Sequence, residues 1–183
     1  MSIILIRHGK TQGNLEGRYI GSRTDEPLCP QGIGELKLRA YPPVVRVFAS
    51  PLRRCLESAA VIYPGIAPVI VDGFRECDFG AFEGKNYAEL NGRSDYQAWI
   101  DSGGELPFPG GESRTAMCAR CVQAFSALGL WDLPGDTAIV AHGGTIMALM
   151  SEFALPRKGY FDYQPGNGAG YVLHGDFSWE CIE

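Results

Sequence analysis

The sequence contains no long hydrophobic run, no excess of basic residues and only three histidines. No apolar stretch reaches the length needed to span a bilayer, so no membrane contact is predicted. The first residues also lack a basic segment followed by an apolar one, and we therefore expect a cytoplasmic protein. Because 21 Asp and Glu outnumber 16 Lys and Arg, the net charge is −5, which argues against nucleic-acid binding. A local cluster of arginines could still bind a small anionic substrate.

Six cysteines are present, but their spacing is not that of a metal site. Only Cys118 and Cys121 form a C-x-x-C motif, and they lie in a stretch with a helical pattern. No second ligand pair stands at the distance that a zinc site requires. Structural zinc and redox chemistry are therefore the less favoured interpretations, and we expect buried, reduced thiols. Neither a metal nor a cofactor is predicted.

Short apolar runs alternate with helical patterns along the chain. The 183 residues are 45 % hydrophobic and 20 % charged, which is typical of one globular domain, here 1–183. Strands are predicted at 3–6, 44–49, 68–71, 137–141, 171–173 and 178–182, and helices at 31–39, 52–62, 112–128 and 145–153. This alternation predicts an α/β fold, a three-layer sandwich with helices on both faces of a mostly parallel sheet. The turn residues His174-Gly175-Asp176 predict an antiparallel hairpin at the sheet edge.

The segment 73–111 has no strand pattern and is rich in glycine, aromatic and acidic residues. We expect it to form an excursion over the carboxyl edge of the sheet, with a helix near 94–100. Loops in that position usually shape substrate access. We find no internal repeat and no low-complexity tract.

Two of the predicted strands end in the same way, with a histidine followed by glycine. They are Ile3-Ile4-Leu5-Ile6-Arg7-His8-Gly9 and Ala138-Ile139-Val140-Ala141-His142-Gly143-Gly144. Open parallel sheets carry their chemistry at the carboxyl ends of the strands. His8 and His142 therefore stand where catalytic histidines are expected, although a metal site, a general-base pair and simple packing all fit this observation alone.

The neighbours of the two histidines favour an anion. Arg7 beside His8 would be costly to bury without one, and polar residues from Lys10 to Gln12, including Thr11, could offer backbone N–H groups to it. His142 precedes a predicted helix, whose N-terminus suits a phosphoryl oxygen. The alternative for the glycines after His142 is a tight strand-to-helix turn.

Two further segments offer charged side chains. At the end of a third strand, Arg53 and Arg54 stand in the first turn of a helix, and at most one of them should face a pocket, because successive residues point about 100° apart. The stretch 75–84 holds three carboxylates, among them Glu76 and Glu83, one of which could protonate a leaving group.

Taken in order, these motifs resemble the histidine phosphatase (phosphoglycerate mutase-like) superfamily over nearly the whole chain. The matching stretches are Arg7-His8-Gly9-x-Thr11 with Asn14, Ser50-Pro51-Leu52-x-Arg54, Arg75-Glu76-x-Asp78-Phe79-Gly80-x-Phe82-Glu83-Gly84, Pro109-Gly110-Gly111-Glu112-Ser113 and Val140-Ala141-His142-Gly143-Gly144. No single motif decides the matter, but five in the right order are very specific.

The resemblance implies a role for each matching residue. His8 would be the nucleophile, Glu76 the proton donor, and Arg7, Arg54 and His142 the groups around the phosphate. Asn14 would add a hydrogen bond, with Thr11 and Gly143 as further substrate-binding residues and Glu83 as a supporting residue or alternative acid. Around 17–28 the match is loose, so Arg18, Tyr19 and Arg23 either reach the pocket mouth or lie on the surface.

The implied activity is hydrolysis of a small phosphomonoester through a phosphohistidine. Small members of the superfamily include α-ribazole phosphatases, which makes α-ribazole 5′-phosphate a candidate substrate. The alternatives are a cofactor-dependent phosphoglycerate mutase, for which this chain is short, and a non-catalytic module that binds a phosphate ligand. The aromatic residues of the excursion either stack on the substrate or pack onto the sheet: Phe79, Phe82, Tyr87, Tyr96 and Trp99. A monomer or a homodimer is expected.

Overall fold

A computed structural model describes all residues, 1–183. Six strands form one sheet in the order β3-β2-β4-β1-β5-β6. The strands are β1 (Ser2–Arg7), β2 (Arg46–Ala49), β3 (Val69–Ile70), β4 (Thr137–Ala141), β5 (Gly170–His174) and β6 (Trp179–Ile182). The four strands β3, β2, β4 and β1 run parallel, and β5 and β6 add an antiparallel edge. The predicted mixed sheet with an edge hairpin is confirmed.

Seven α-helices surround the sheet: α1 (Gln12–Leu15), α2 (Pro30–Leu38), α3 (Arg53–Ile62), α4 (Tyr87–Leu90), α5 (Ser94–Asp101), α6 (Arg114–Ala127) and α7 (Gly143–Phe153). Short 3-10 helices lie at Asp72–Phe74, Gly80–Phe82, Leu130–Asp132 and Tyr160–Tyr163. No helix combines the length and the apolarity that crossing a membrane requires.

The strand side chains alternate between two cores. Ile3 and Leu5 of β1 pack with residues of α6 and α7 on one face, including Phe125 and Ile146. Ile4 and Ile6 pack on the other face, where α3 supplies Cys55 and Ala59. Since both faces are buried, the strands read as continuous apolar runs, which is typical of a parallel sheet. The structure thus has the predicted three layers.

Helix boundaries differ from the prediction where capping residues decide them. Ser113 caps α6 by accepting a hydrogen bond from Ala116 N at 3.1 Å, so the helix begins at Arg114 instead of residue 112. In contrast, α7 begins two residues earlier than predicted, with His142 as its N-cap. The short helices α1 and α4 were not predicted, although each has a capping box, Thr11 with Asn14 and Asn86 with Glu89.

The segment 73–111 contributes to a third apolar cluster, which joins it to α6 and α7. The members are Cys77, Phe82, Leu90, Tyr96, Phe108, Met117, Cys121 and Ala148. Its helix α5 matches the one predicted near 94–100.

The strand register brings three chain segments to the same edge of the sheet. Arg7 lies opposite Ala141, and Ala49 lies opposite Val140. His8, His142 and Ser50 follow directly on β1, β4 and β2, so all three stand at the carboxyl ends of neighbouring strands. This register is what assembles the site.

Candidate active site

A cavity of about 350 Å³ opens at the carboxyl ends of β1 and β4. One end is polar and is formed by Arg7, His8, Asn14, Glu76, Gly143 and Gly144. The other end is mainly apolar and aromatic, with Tyr19, Phe79, Trp99, Phe108, Met117, Tyr160 and Phe161. A ligand with a polar head and an apolar body would match this division.

His8 is held in one tautomer. It is only 3 % exposed, and its Nδ1 lies 2.7 Å from the carbonyl oxygen of Gly9. A carbonyl can only accept, so Nδ1 carries the proton and the neutral ring keeps its lone pair on Nε2. Ser58 fixes this turn by accepting a hydrogen bond from Gly9 N at 2.9 Å.

His142 lies beside His8, with ring centroids 5.2 Å apart. It is fully buried, and its Nε2 is 2.7 Å from the hydroxyl of Ser50. Ser50 thus fixes the orientation of His142, a role that the sequence analysis did not assign. The motif Ser50-Pro51-Leu52-x-Arg54 contained it, but only the register of β2 and β4 shows the contact.

Both histidines are neutral in the folded protein near pH 7. Burial lowers the pKa of His8 well below 6.5, and the nearby Arg54 and Arg7 guanidiniums lower it further. The pKa of His142 is also well below 6.5, again mainly because of burial, then because of Arg54 and His8. A neutral imidazole has the lone pair that a nucleophile needs.

Two guanidiniums lie close to these rings without a carboxylate partner within ion-pair distance. Arg54 is fully buried and donates to the carbonyls of Thr24 at 2.7 Å and Gly21 at 3.0 Å. Arg7 donates to the Pro165 carbonyl at 2.8 Å, and burial lowers its pKa, with the charge of Glu76 opposing. The Nε atoms of both arginines are buried without a hydrogen-bond partner. Buried cations in this state are costly, and an anion bound beside them would offset that cost.

Glu76 approaches the same end of the cavity from the segment 73–111. It is 8 % exposed, and its carboxylate accepts hydrogen bonds from Cys77 N at 2.9 Å and Gly144 N at 3.2 Å. The second of these amides belongs to the first turn of α7. A Cβ at Gly144 would overlap Glu76 Oε1, so an alanine here would force the end of the Glu76 side chain to move.

Asn14 lines the cavity, and its side-chain oxygen already accepts two hydrogen bonds. Oδ1 accepts from Thr11 N and from Asn167 Nδ2, both at 3.2 Å, which leaves the Asn14 NH₂ group to face a ligand. Thr11 itself is fully buried outside the cavity lining, where it caps α1. The structure therefore gives Thr11 the role of a cap instead of the predicted contact with substrate. Gly143 lines the cavity as expected.

The loosely matching segment is divided between cavity and surface. Arg18 and Tyr19 line the cavity. Arg23 does not: it is about half exposed and pairs with Asp78 at 2.7 Å, which turns it away from the predicted pocket mouth. Glu83 also lies outside the lining, where it accepts hydrogen bonds from Gly21 N at 2.9 Å and Phe79 N at 3.3 Å. It therefore supports the backbone around the cavity.

Some aromatic residues of the segment 73–111 line the cavity, and others pack in the protein interior or lie on the surface. Phe79 and Trp99 line the cavity, whereas Phe82 and Tyr96 are buried in the third cluster and Tyr87 is exposed. The lining residues to which the sequence analysis assigned no role include Phe108, Arg114, Tyr160, Phe161 and Gln164. The last three come from the irregular chain after α7, which carries no periodic pattern.

A neutral histidine with a free Nε2, beside two guanidiniums without carboxylate partners at a sheet edge, has the charge and the nucleophile that phosphoryl transfer needs. Residues 3–177 match the model of the histidine phosphatase superfamily (branch 1). The chain belongs to this superfamily, and the resemblance found in the sequence is confirmed.

Similar proteins within the superfamily carry different names. An adenosylcobalamin/alpha-ribazole phosphatase of Salmonella typhimurium is 28 % identical over 159 residues, 82 % of this chain and 78 % of the relative. A 2,3-bisphosphoglycerate-dependent phosphoglycerate mutase of Gloeobacter violaceus is 30 % identical over 164 residues, 82 % of this chain and 74 % of the relative. The crystal structure of the alpha-ribazole phosphatase from Shigella flexneri has a TM-score of 0.83 at 24 % identity, with 95 % of this chain and 90 % of that chain covered, and supports the fold.

Proposed function

We propose that this protein is a phosphomonoesterase that hydrolyses a small phosphorylated metabolite through a phosphohistidine on His8. The observation that carries the proposal is the hydrogen bond from His8 Nδ1 to the Gly9 carbonyl at 2.7 Å. It leaves Nε2 as the nucleophile in a ring that burial keeps neutral.

In the first step, Nε2 of His8 attacks phosphorus and the bond from phosphorus to the ester oxygen breaks. Arg7, Arg54 and His142 lie around His8, and their positive or donor groups would stabilise the charge on the three equatorial oxygens. The N–H of Gly143 at the start of α7 and the amide of Asn14 would add hydrogen bonds.

Glu76 is the proposed proton donor for the leaving oxygen. Its carboxyl group lies on the cavity surface, held by Cys77 N and Gly144 N. In the second step, a water molecule attacks the phosphorus of the phosphohistidine and gives its proton to Glu76, while the bond from phosphorus to Nε2 of His8 breaks. Inorganic phosphate leaves and the starting state is restored.

For the substrate, we propose α-ribazole 5′-phosphate. Two observations support it: a relative named for that activity aligns over 82 % of this chain, and the far end of the cavity is walled by Trp99, Phe108 and Phe161. An aromatic base would pack against these rings.

The test is release of inorganic phosphate from α-ribazole 5′-phosphate and p-nitrophenyl phosphate by the wild type and H8A. We expect H8A to remain folded and to lose both activities, while H174A, which changes the histidine outside the site, keeps them. Acid-labile label on the wild type after quenching with ³²P-substrate, absent in H8A, would identify the intermediate. Retention of more than a few per cent of activity in H8A would exclude His8 as the nucleophile.

The same assay separates hydrolysis from the mutase alternative. A mutase would interconvert 2- and 3-phosphoglycerate, whereas the proposed activity releases inorganic phosphate alone. A phosphate-binding module without catalysis would bind inorganic phosphate and release none from any ester.

A further inference from the structure

The two ends of the cavity differ in whether their arginines form ion pairs. At the polar end, Arg7 of the lining and Arg54, which is buried near His8 outside the lining, have no carboxylate within ion-pair distance. At the mouth, the two lining arginines are both paired with acids. Only the polar end therefore has an excess of positive charge, because two guanidiniums there outnumber the one acidic side chain, Glu76.

Arg18 is the first of the paired cations. Its Nε lies 2.6 Å from Glu16, and its Nη1 lies 2.7 Å from Glu89. One cation thus stands between two carboxylates, so its charge is compensated. An anionic group at this wall would find no free cation to pair with.

Arg114 is the second. It forms an ion pair with Glu105, and its guanidinium lies 5.4 Å from the ring centroids of both Tyr160 and Phe161. The Glu105 carboxylate compensates the charge of Arg114, and the two aromatic rings lie against its guanidinium. The side chain therefore acts as part of the aromatic wall, with no free charge for a ligand.

We infer that the cavity selects phosphate monoesters whose alcohol part has a planar ring and no second anionic group, and that Glu105 and Arg114 determine this specificity. This rests on the proposed phosphatase function. Arg7 and Arg54 accept one phosphoryl group, and the paired mouth gives no compensation to a further carboxylate or phosphate. The second charge of a bisphosphate would meet Arg18 and Arg114, each of which is already paired with an acid.

Two matched substrates test the inference: 4-(carbamoylmethyl)phenyl phosphate and 4-(carboxymethyl)phenyl phosphate. They are isosteric and differ in the charge of the distal group, with a methylene that separates this group from the leaving oxygen. We expect the wild type to hydrolyse the neutral ester with a kcat/KM at least about fivefold higher, the scale of one partly exposed charge interaction.

The variant E105Q frees the charge of Arg114. We expect the neutral-to-charged ratio of kcat/KM to fall about fivefold in E105Q, because the carboxylate substrate gains a partner. E152Q removes one exposed acid outside the cavity lining and should leave the ratio as in the wild type. The double variant E105Q/R114Q should lose the gain.

The outcomes are distinct. Equal or preferred hydrolysis of the charged ester by the wild type, or an unchanged ratio in E105Q, would overturn the specificity inference while leaving the phosphatase function intact. Failure of the wild type to hydrolyse either ester or α-ribazole 5′-phosphate would overturn the proposed function, and the inference with it.

Discussion

The backbone N–H of Gly144 donates a hydrogen bond to Glu76 Oε2 over 3.2 Å. The two residues are 68 positions apart, and the contact joins the segment 73–111 to the first turn of α7. A Cβ at Gly144 would force the Glu76 carboxyl group to shift from this position. The position of the proposed acid therefore depends on a residue in a different motif.

The variant G144A should displace Glu76, since the new methyl would lie 2.3 Å from Oε1. We expect kcat to fall about 100-fold for esters with poor leaving groups, the scale of lost general-acid catalysis. G34A is the matched control: Gly34 also lies in a helix, and a Cβ there meets nothing within 4 Å. Steady-state kinetics on a phosphorylated alkyl alcohol measures the difference, and equal rates for the two variants would contradict the proposed placement.

The variant E76Q should affect substrates according to their leaving group. Alkyl phosphates need a proton on the departing oxygen, whereas p-nitrophenolate leaves readily without one. We therefore expect E76Q to lose far more activity on an alkyl ester than on p-nitrophenyl phosphate. E83Q removes a carboxylate outside the cavity lining and should reduce both rates alike. If E83Q shows the leaving-group dependence instead, the two roles are reversed.

Removing the Ser50 hydroxyl should loosen His142, whose Nε2 it contacts at 2.7 Å. We expect S50A to lower kcat/KM about tenfold, the value of one hydrogen bond near 1.4 kcal/mol. S151A, which removes a hydroxyl that bonds only the Met147 carbonyl within α7, should keep full activity. In ¹⁵N-labelled protein, only S50A should shift the imidazole resonances of His142. Unchanged kinetics in S50A would remove the positioning role.

Stability should fall as the pH decreases below about 6.5. The folded state keeps His8 and His142 neutral because burial lowers each pKa well below 6.5, while the unfolded chain takes up protons near that pH. The unfolded state then holds more protons, so the free energy of unfolding decreases by up to about 1.4 kcal/mol per pH unit for each histidine, until the folded pKa is reached. Urea unfolding from pH 7.5 to 5 measures this slope. H8Q and H142Q should each reduce it relative to H174Q, and three equal slopes would contradict the assignment.

Hydrolysis should also survive exhaustive treatment with EDTA. Arg7 and Arg54 supply the positive charge that the proposed mechanism needs around the phosphoryl group. The rate of phosphate release before and after dialysis against the chelator is the measurement. A loss that added Mg²⁺ or Zn²⁺ restores would show that the reaction needs a metal.

Most of the sheet could be predicted because β1 and β4 are buried on both faces and read as unbroken apolar runs. The same runs placed His8 and His142, since parallel strands end at one edge. The edge strand β3 is shorter than predicted. Of residues 68–71, only Val69–Ile70 pair with β2, and both of these residues are exposed. A hydrophobic pattern predicts the length of a strand poorly where the strand's side chains are not buried.

The aromatic wall was harder to predict because it depends on contacts between distant segments. Tyr160 and Phe161 lie in an irregular connection, and only the packed structure brings them to Arg114 at the start of α6. Thr11 could not be placed for a local reason. A threonine suits a ligand contact as well as a helix cap, and the four-residue helix that it caps is too short to give a periodic pattern.

The two ends of the cavity are encoded in separate parts of the chain. The proposed nucleophile His8 and its neighbours Arg7 and His142 stand at strand ends, and the proposed acid Glu76 lies near the start of the segment 73–111. Helix α5, the loop with Glu105 and the turn at Tyr160–Tyr163 contribute most of the aromatic wall. Under the proposed function, exchanging residues 99–108 and 160–164 between relatives would change which esters are accepted and leave the proposed reacting groups in place.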